Sequence, residues 1–473
     1  MKKNEITPRS FMHSLGMKVG FLPLYLKLYD DVLPDMREEV EGFSERVQSA
    51  LKDCGLDIIA APICREVKEF EDAVTLFDDT CAVITLHLAY SPSLESIDSL
   101  AKIGKPIVVL DTTPGYSFDQ SVSGDEILYN HGIHGVQDMC SMLKRRGVQY
   151  FVEAGHWKNS DVIERVVELC KSAYAASAMK RVKVGLIGSS FKGMGDFYIT
   201  PDELYKAIGI QVVPFDMNEL PNIISSISDG EVETEMVDDL AVFETASYDK
   251  DTHKRTARMD LMVRKWVEKN GLSAFSMNFA DIERKSGFET VPFIEACKSM
   301  ARGIGYAGEG DVLTAALCGA LLQAYPETSF TEMFCPDWKG NSVFLSHMGE
   351  MNPMTAKGKM ELTVNEYSFS DVDAPLMAFG CFKAGDAVLV NLAQTHEGGF
   401  TLILSKIEVL DGAGDVNLKG KIRGWIKPDM PLSTFLEKYS LAGGTHHLVM
   451  VYGDALKFLS AFGQMMGFFV EVI

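Results

Sequence analysis

The sequence has no paired-cysteine spacing, no basic excess and no apolar run of membrane-spanning length, and each absence removes a class of function. Its nine cysteines are scattered without a CxxC motif. Several, such as Cys81 in CAVITL and Cys318 in TAALCGALL, stand inside apolar segments where a reduced thiol acts as a small hydrophobe. Neither a disulfide framework nor a cysteine zinc site is expected. Lys and Arg number 45 against 66 Asp and Glu, a formal net charge of -21, and a surface of that sign repels nucleic-acid phosphates and anionic membranes. The densest basic run, Lys144-Arg145-Arg146, is short and precedes Gly147 at a predicted helix end, where cations complement the dipole. Neither the opening MKKNE nor the mixed stretch after it holds an apolar run of signal-peptide length, so a cytoplasmic protein that meets neither nucleic acid nor membrane is expected.

What is present is an ordinary globular composition, 47% hydrophobic over 473 residues, enough to bury more than one core. Short β-branched runs alternate with amphipathic helical patterns through the first part: VGFLPLY, DIIAAPI, CAVITLHL and PIVVLDT. That alternation predicts a parallel sheet with crossover helices, and the carboxyl ends of its strands are where open α/β sheets bind ligands. A second α/β unit begins at VKVGLIGSS and closes with the helix DVLTAALCGALLQAY. After it come strand-like pieces separated by Gly, Asp and Pro, which predict an antiparallel β domain. Three domains are therefore expected: an N-terminal α/β domain over 1–180, a central α/β domain over 181–324, and a C-terminal β-barrel domain over 325–473.

Four ionisable residues interrupt apolar or glycine-rich settings, where such a side chain is costly unless paired or ligating: Glu309, Glu332, His347 and His447. Glu309 sits in GIGYAGEGD, a glycine-dense turn before a helix whose first-turn carboxylate is Asp311. Glu332 lies in TSFTEMF, where period-2 alternation places it with Phe330 and Phe334. Two carboxylates and two imidazoles suit a divalent metal, and the mixed oxygen and nitrogen donors favour Mn²⁺ over a structural zinc. Taken singly, each residue reads as readily as a satisfied polar group in a core or a helix-start carboxylate. The glycines of VGLIGSSFKGMGDF miss the GxGxxG spacing, which disfavours a nucleotide-dependent dehydrogenase.

The same residues carry a family resemblance. MARGIGYAGEGDVLTAAL is similar to the segment of L-arabinose isomerases that supplies their first metal-binding glutamate, TSFTEMF to the segment with the second, FLSHMGEMNP to that with the first histidine, and AGGTHH to the paired-histidine motif whose second member ligates. On this basis the chain resembles the L-arabinose/L-fucose isomerase family. Its retained Glu332 and His347 look more like the arabinose branch. The resemblance implies Glu309, Glu332, His347 and His447 as metal ligands, the two glutamates doubling as the acid-base pair of an ene-diol mechanism, and His446 as a residue on the sugar side. The implied cofactor is Mn²⁺, or another divalent ion such as Co²⁺ or Mg²⁺.

Upstream, NHGIHGVQD is similar to a stretch that family members bring to a neighbouring subunit's active site, which implies His134 as a substrate contact and a homo-oligomer, a trimer or hexamer with intersubunit sites. FKGMGDF and AFSMNF resemble segments that line the sugar pocket, implying Met194 and Phe279. The first strand departs from the family, ending in FLPLYLKLYDD where arabinose isomerases carry a polar loop that touches the sugar; Tyr25 survives as an implied contact and the identity of the sugar stays open. The reading is a metal-dependent aldose-ketose isomerase acting on a pentose or related aldose. The alternative is a non-catalytic sugar-binding protein of the same fold, which would bind sugar without proton exchange.

Overall fold

The computed structural model describes residues 16–245, 248–412 and 415–473. The chain divides into two compact units with the boundary between Tyr174 and Ala175. In the first, five strands, β1 (Lys18–Leu24), β2 (Asp57–Ala60), β3 (Val83–His87), β4 (Ile107–Asp111) and β5 (Tyr150–Ala154), form a parallel sheet in the order β2-β1-β3-β4-β5. The central strands are buried along nearly their whole length, as expected of a sheet with helices on both faces. Gly20 in β1 explains one close approach: a Cβ there would stand 2.6 Å from the Phe77 ring. The strand order reverses between β1 and β3, and at such a switch point a crevice opens beyond the carboxyl ends.

The second unit begins with β6 (Lys183–Ile187) and β7 (Gln211–Pro214), then β8 (Glu244–Thr245), β9 (Ala274–Met277) and β10 (Gly305–Gly308). Four of these make a second parallel sheet, ordered β10-β9-β6-β7. The remaining strands are β11 (Thr328–Asp337), β12 (Ser342–Ser346), β13 (Glu361–Val364), β14 (Leu376–Phe379), β15 (Gly385–Gln394), β16 (Phe400–Val409), β17 (Gly424–Pro428), β18 (His447–Tyr452) and β19 (Phe469–Val472). Six of them close into an antiparallel barrel, β15-β18-β11-β12-β17-β16, with β16 returning to pair with β15 and β19 added in parallel to β16. Closure satisfies every strand edge inside the ring. APLMAFGCF does not join it: β14 pairs with β13, and β13 with the short β8, in a separate three-stranded sheet.

The helix Val312–Leu322 joins sheet to barrel. Every one of its residues is buried, the pattern of a helix hydrophobic all round and covered on all sides. It packs on β9 and β10 and on the barrel strands β11 and β18. Its approach to β10 depends on Gly305, where a Cβ would fall 2.2 Å from Gly319 N and 2.3 Å from Ala315 O. The turn that enters this helix is thereby held over one end of the barrel. Among the described residues no helix is long and apolar enough to cross a membrane.

Candidate metal centre

Glu309 occupies the turn between β10 and that helix with φ of 62°, in the left-handed region that a residue with a side chain rarely adopts. Such strain persists where the surroundings over-determine it, and functional sites are where it collects. The neighbours leave no room for alternatives. A Cβ on Gly308 would stand 2.6 Å from His347 Cε1, and one on Gly310 would stand 2.4 Å from Ser189 O. The Glu309 carbonyl accepts a bond from Phe191 N at 2.9 Å, which ties the turn to the loop after β6.

Three adjacent barrel strands supply the other groups. In β11, Glu332 lies directly opposite His447 of β18 on one side and Ser346 of β12 on the other, and His347 comes immediately after Ser346. The strand pairing therefore sets an imidazole, a carboxylate and an imidazole in a row. Phe330 shares the Glu332 face as alternation requires and packs edge-on to both rings, 4.7 Å from His347 and 5.0 Å from His447. Phe334 does not share it: the ladder shifts register between Met333 and Cys335, and this ring is 48% exposed.

Each histidine of the row is held at Nδ1 by a carboxylate. His347 Nδ1 lies 2.8 Å from Glu350 Oε2, and Glu350 is itself fixed by Gly349 N at 2.7 Å and by the Tyr306 hydroxyl at 2.8 Å. His447 Nδ1 lies 3.0 Å from Asp311 Oδ2, while the other Asp311 oxygen accepts from Thr314 N at 2.8 Å and caps the helix. A carboxylate on Nδ1 keeps a proton there and makes Nε2 the nitrogen that is freed for a cation, the arrangement metal-ligating histidines use. His447 Nε2 is buried without a hydrogen-bond partner. This orphaned nitrogen, with carboxylates around it, fits a divalent cation. In the sequence Asp311 reads as a helix-start carboxylate and Glu350 draws no notice; the only signal of Glu350 is its spacing of three residues from His347 in SHMGE.

The potential ligand atoms fall into two groups, each within 4.8 Å: Glu309, His446 and His447, and Glu332, His347 and His447. The four expected ligands thus meet through His447, not in one group, and His446, expected on the sugar side, joins the first. Glu309 Oε2 is 3.5 Å from His447 Nε2 and 3.7 Å from His446 Nε2. The two glutamates are driven apart in acidity. Burial pushes both up, but the His446 and His447 imidazoles facing it and the charge of His347 bring Glu309 down to about 2. Glu332 stays above its ordinary value, because burial and the Glu309 charge outweigh the three histidines. A pair of carboxylates separated in this way is equipped for one base and one acid. Burial pushes His447 down, but Asp311 and Glu309 overcome it and raise it to about 9, so a cation binding there displaces a proton.

Of the expected sugar contacts in this unit, Met194 is half-buried in the loop after β6, its backbone N bonded to Phe191 O at 3.3 Å. Phe279 sits among Phe191, Tyr367 and Phe369 at ring distances of 5.6, 6.3 and 5.8 Å.

In the first unit, Tyr25 comes just after β1, fully buried, and its hydroxyl has no partner. A cavity of about 490 Å³ is lined by Tyr29, Tyr90, Leu128, His131, His134 and Gln137. Tyr29, which nothing in the sequence singles out, bonds His131 Nε2 through its hydroxyl at 3.0 Å, and His134 is exposed. His87, at the end of β3, is buried with both ring nitrogens unpartnered, and burial lowers it to about 3.

Models of the L-arabinose isomerase N-terminal, central and C-terminal domains match residues 26–181, 203–324 and 327–469. The chain belongs to the L-arabinose isomerase family. It is an enzyme of that family's class, a sugar isomerase. It is similar to L-arabinose isomerase 1 of Bacillus licheniformis, 26% identical over 449 residues that cover 91% of this chain and 89% of the relative. It is also similar to the L-arabinose isomerase of Shouchella clausii, 27% identical over 95% and 92% of the two chains, and to that of Escherichia coli, 27% identical over 87% and 83%.

Proposed function

We propose that this protein interconverts a small aldose, a pentose or a close relative, with its ketose through an ene-diol, using Glu309 and Glu332 as the proton-transfer pair. The observation that carries this reading is the placing of two carboxylates about the unpartnered His447 Nε2, Glu309 Oε2 at 3.5 Å and Glu332 directly opposite in the strand ladder. Glu309, Glu332, His347 and His447 would hold the metal, Mn²⁺ by their donor chemistry, with Co²⁺ or Mg²⁺ as alternatives. Bound there, a divalent ion supplies positive charge for the carbonyl and the adjacent hydroxyl of an open-chain sugar.

Ionised Glu309 takes the proton from the carbon beside the carbonyl and returns it to the neighbouring carbon. Glu332, the weaker acid, gives a proton to the carbonyl oxygen and recovers one from the hydroxyl. His447 and His347 keep Nε2 directed inward because Asp311 and Glu350 hold Nδ1. His446, Met194 and Phe279 border the sugar in this reading. Residues 181–324 and 325–473 act as the central and C-terminal domains around the site, with 1–180 as the N-terminal domain. His134 contributes from a neighbouring copy in a homo-oligomer, a trimer or hexamer, and its exposure beside its cavity supports that contact; Tyr25, fully buried, stands behind it through Tyr29 and His131. The protein works in the cytoplasm.

The test is turnover. Protein stripped of metal and reloaded with Mn²⁺ is offered four- to six-carbon aldoses, and ketose is measured. One sugar is converted only with metal, and Glu309→Gln and Glu332→Gln abolish conversion. Saturable sugar binding with no conversion of any sugar, in protein that binds Mn²⁺, overturns the catalytic reading.

A further inference from the structure

Within the loop after β6, Asp196 and Phe197 contact the histidines of the Thr445-His446-His447 stretch. A single Asp196 oxygen, Oδ2, accepts from the His446 backbone N at 3.0 Å and lies 2.6 Å from His446 Nδ1. The ring is thus fixed relative to its own backbone. Its other nitrogen, Nε2, faces Glu309 Oε2 at 3.7 Å, outside hydrogen-bond distance. The next residue, Phe197, is 2% exposed and stacks on His447 with ring centres 5.0 Å apart and planes 9° from parallel. It also lies against His446 at 5.5 Å.

The two contacts differ in kind. Phe197 restrains by packing, and its loss would loosen a metal-ligating ring. Asp196 restrains by chemistry: as a pure acceptor it requires a proton on Nδ1, whatever the state of Nε2. It is also 38% exposed on its side chain, so its replacement removes little packing.

The geometry points to Asp196 as a positioning residue: it acts through His446, keeping Nδ1 protonated and Nε2 aimed at Glu309, so that the base carries out proton transfer beside a ring of fixed orientation. This rests on the isomerase reading above. Among the described residues Asp196 bonds His446 and none of Glu309, Glu332, His347 and His447, so any effect on the metal runs through His446.

Asp196→Ala tests it, because it removes the one oxygen that meets both His446 donors. The variant is expected to lose about tenfold or more in kcat, by analogy with other orienting partners of a site histidine. The loss is expected to fall mainly on kcat, with smaller changes in KM and in the dissociation constant for Mn²⁺, because Asp196 bonds His446 and none of Glu309, Glu332, His347 and His447. In metal-free protein labelled with ¹⁵N-histidine, the His446 resonances, assigned by their loss in His446→Gln, should shift towards the other tautomer. Phe197→Leu is the packing control and should weaken Mn²⁺ binding instead.

Unchanged kcat with unchanged His446 resonances would overturn the proposal. So would a loss confined to KM or to metal affinity. If the wild-type protein converts no sugar at all, the isomerase reading fails alone, and the resonances still decide: altered shifts uphold control of His446 by Asp196, and unaltered shifts end it.

Discussion

Asp311→Asn separates two jobs that one carboxylate performs. Asp311 Oδ2 lies 3.0 Å from His447 Nδ1, and its Oδ1 accepts from Thr314 N at 2.8 Å. Asparagine brings one acceptor and one donor group to the same place. If its oxygen keeps the helix cap, the amide NH₂ meets Nδ1 and drives the ring proton to Nε2, the nitrogen a metal needs bare. If the amide turns over, Nδ1 is satisfied but the NH₂ confronts Thr314 N–H and the cap is lost, at about 1 kcal/mol. Loss of a carboxylate behind a metal-bound histidine costs about 10- to 100-fold in affinity, or about 1.4 to 2.8 kcal/mol. The asparagine variant should therefore bind Mn²⁺ about 10- to 100-fold more weakly by calorimetric titration. Melting of the metal-free protein should fall by no more than about 2–4 °C. Affinity within about threefold of wild type, together with unaltered melting, would refute the claim that Asp311 sets the His447 tautomer.

The same geometry predicts further outcomes. Gly308→Ala would place a Cβ 2.6 Å from His347 Cε1 and 3.0 Å from its Nε2, and this should weaken Mn²⁺ binding by about tenfold or more with the far-ultraviolet dichroism unchanged. Mn²⁺ at a hundred times its dissociation constant should stabilise the native state by about 2.7 kcal/mol, read as a rise in melting temperature that a chelator reverses. Away from the site, burial pushes Glu235 up but Arg264 and Lys298 hold it down, at about 2 against an ordinary 4.5. A depressed folded value means stability that is complete above about pH 4.5 and is lost as the pH falls towards 2. The amount is about 3 kcal/mol, so urea midpoints should fall steeply across that window, and Glu235→Gln should flatten the fall.

Much of the fold could be read from local pattern. β1, β3 and β4 announce themselves as apolar runs because a parallel sheet covered on both faces needs no polar alternation, while β2 at the edge is only partly buried. Glu309 is conspicuous because glycines surround it, and the structure gives the reason: neighbours occupy the space that side chains at 308 and 310 would need. What escaped were relations across the chain. His447 and Asp311 are separated by 136 residues and His446 and Asp196 by 250, and no spacing rule links such pairs. The Glu350 partner of His347 lies only three residues away, but a local carboxylate looks the same whether it faces solvent or a histidine. The register shift after Met333, which frees Phe334 from the site face, depends on the partner strand β12 and leaves no mark in TSFTEMF. Likewise Tyr29 gains meaning only when the fold brings it to His131, 102 residues away.

The central claim is that a metal held by this cluster serves proton transfer between adjacent sugar carbons by a glutamate pair. The most direct measurement incubates the Mn²⁺-loaded protein with four- to six-carbon aldoses and ketoses in D₂O and reads deuterium at the first and second carbons by NMR. The account predicts metal-dependent deuterium in one sugar, absent with Glu309→Gln; no deuterium in any sugar from protein shown to hold Mn²⁺ would contradict it.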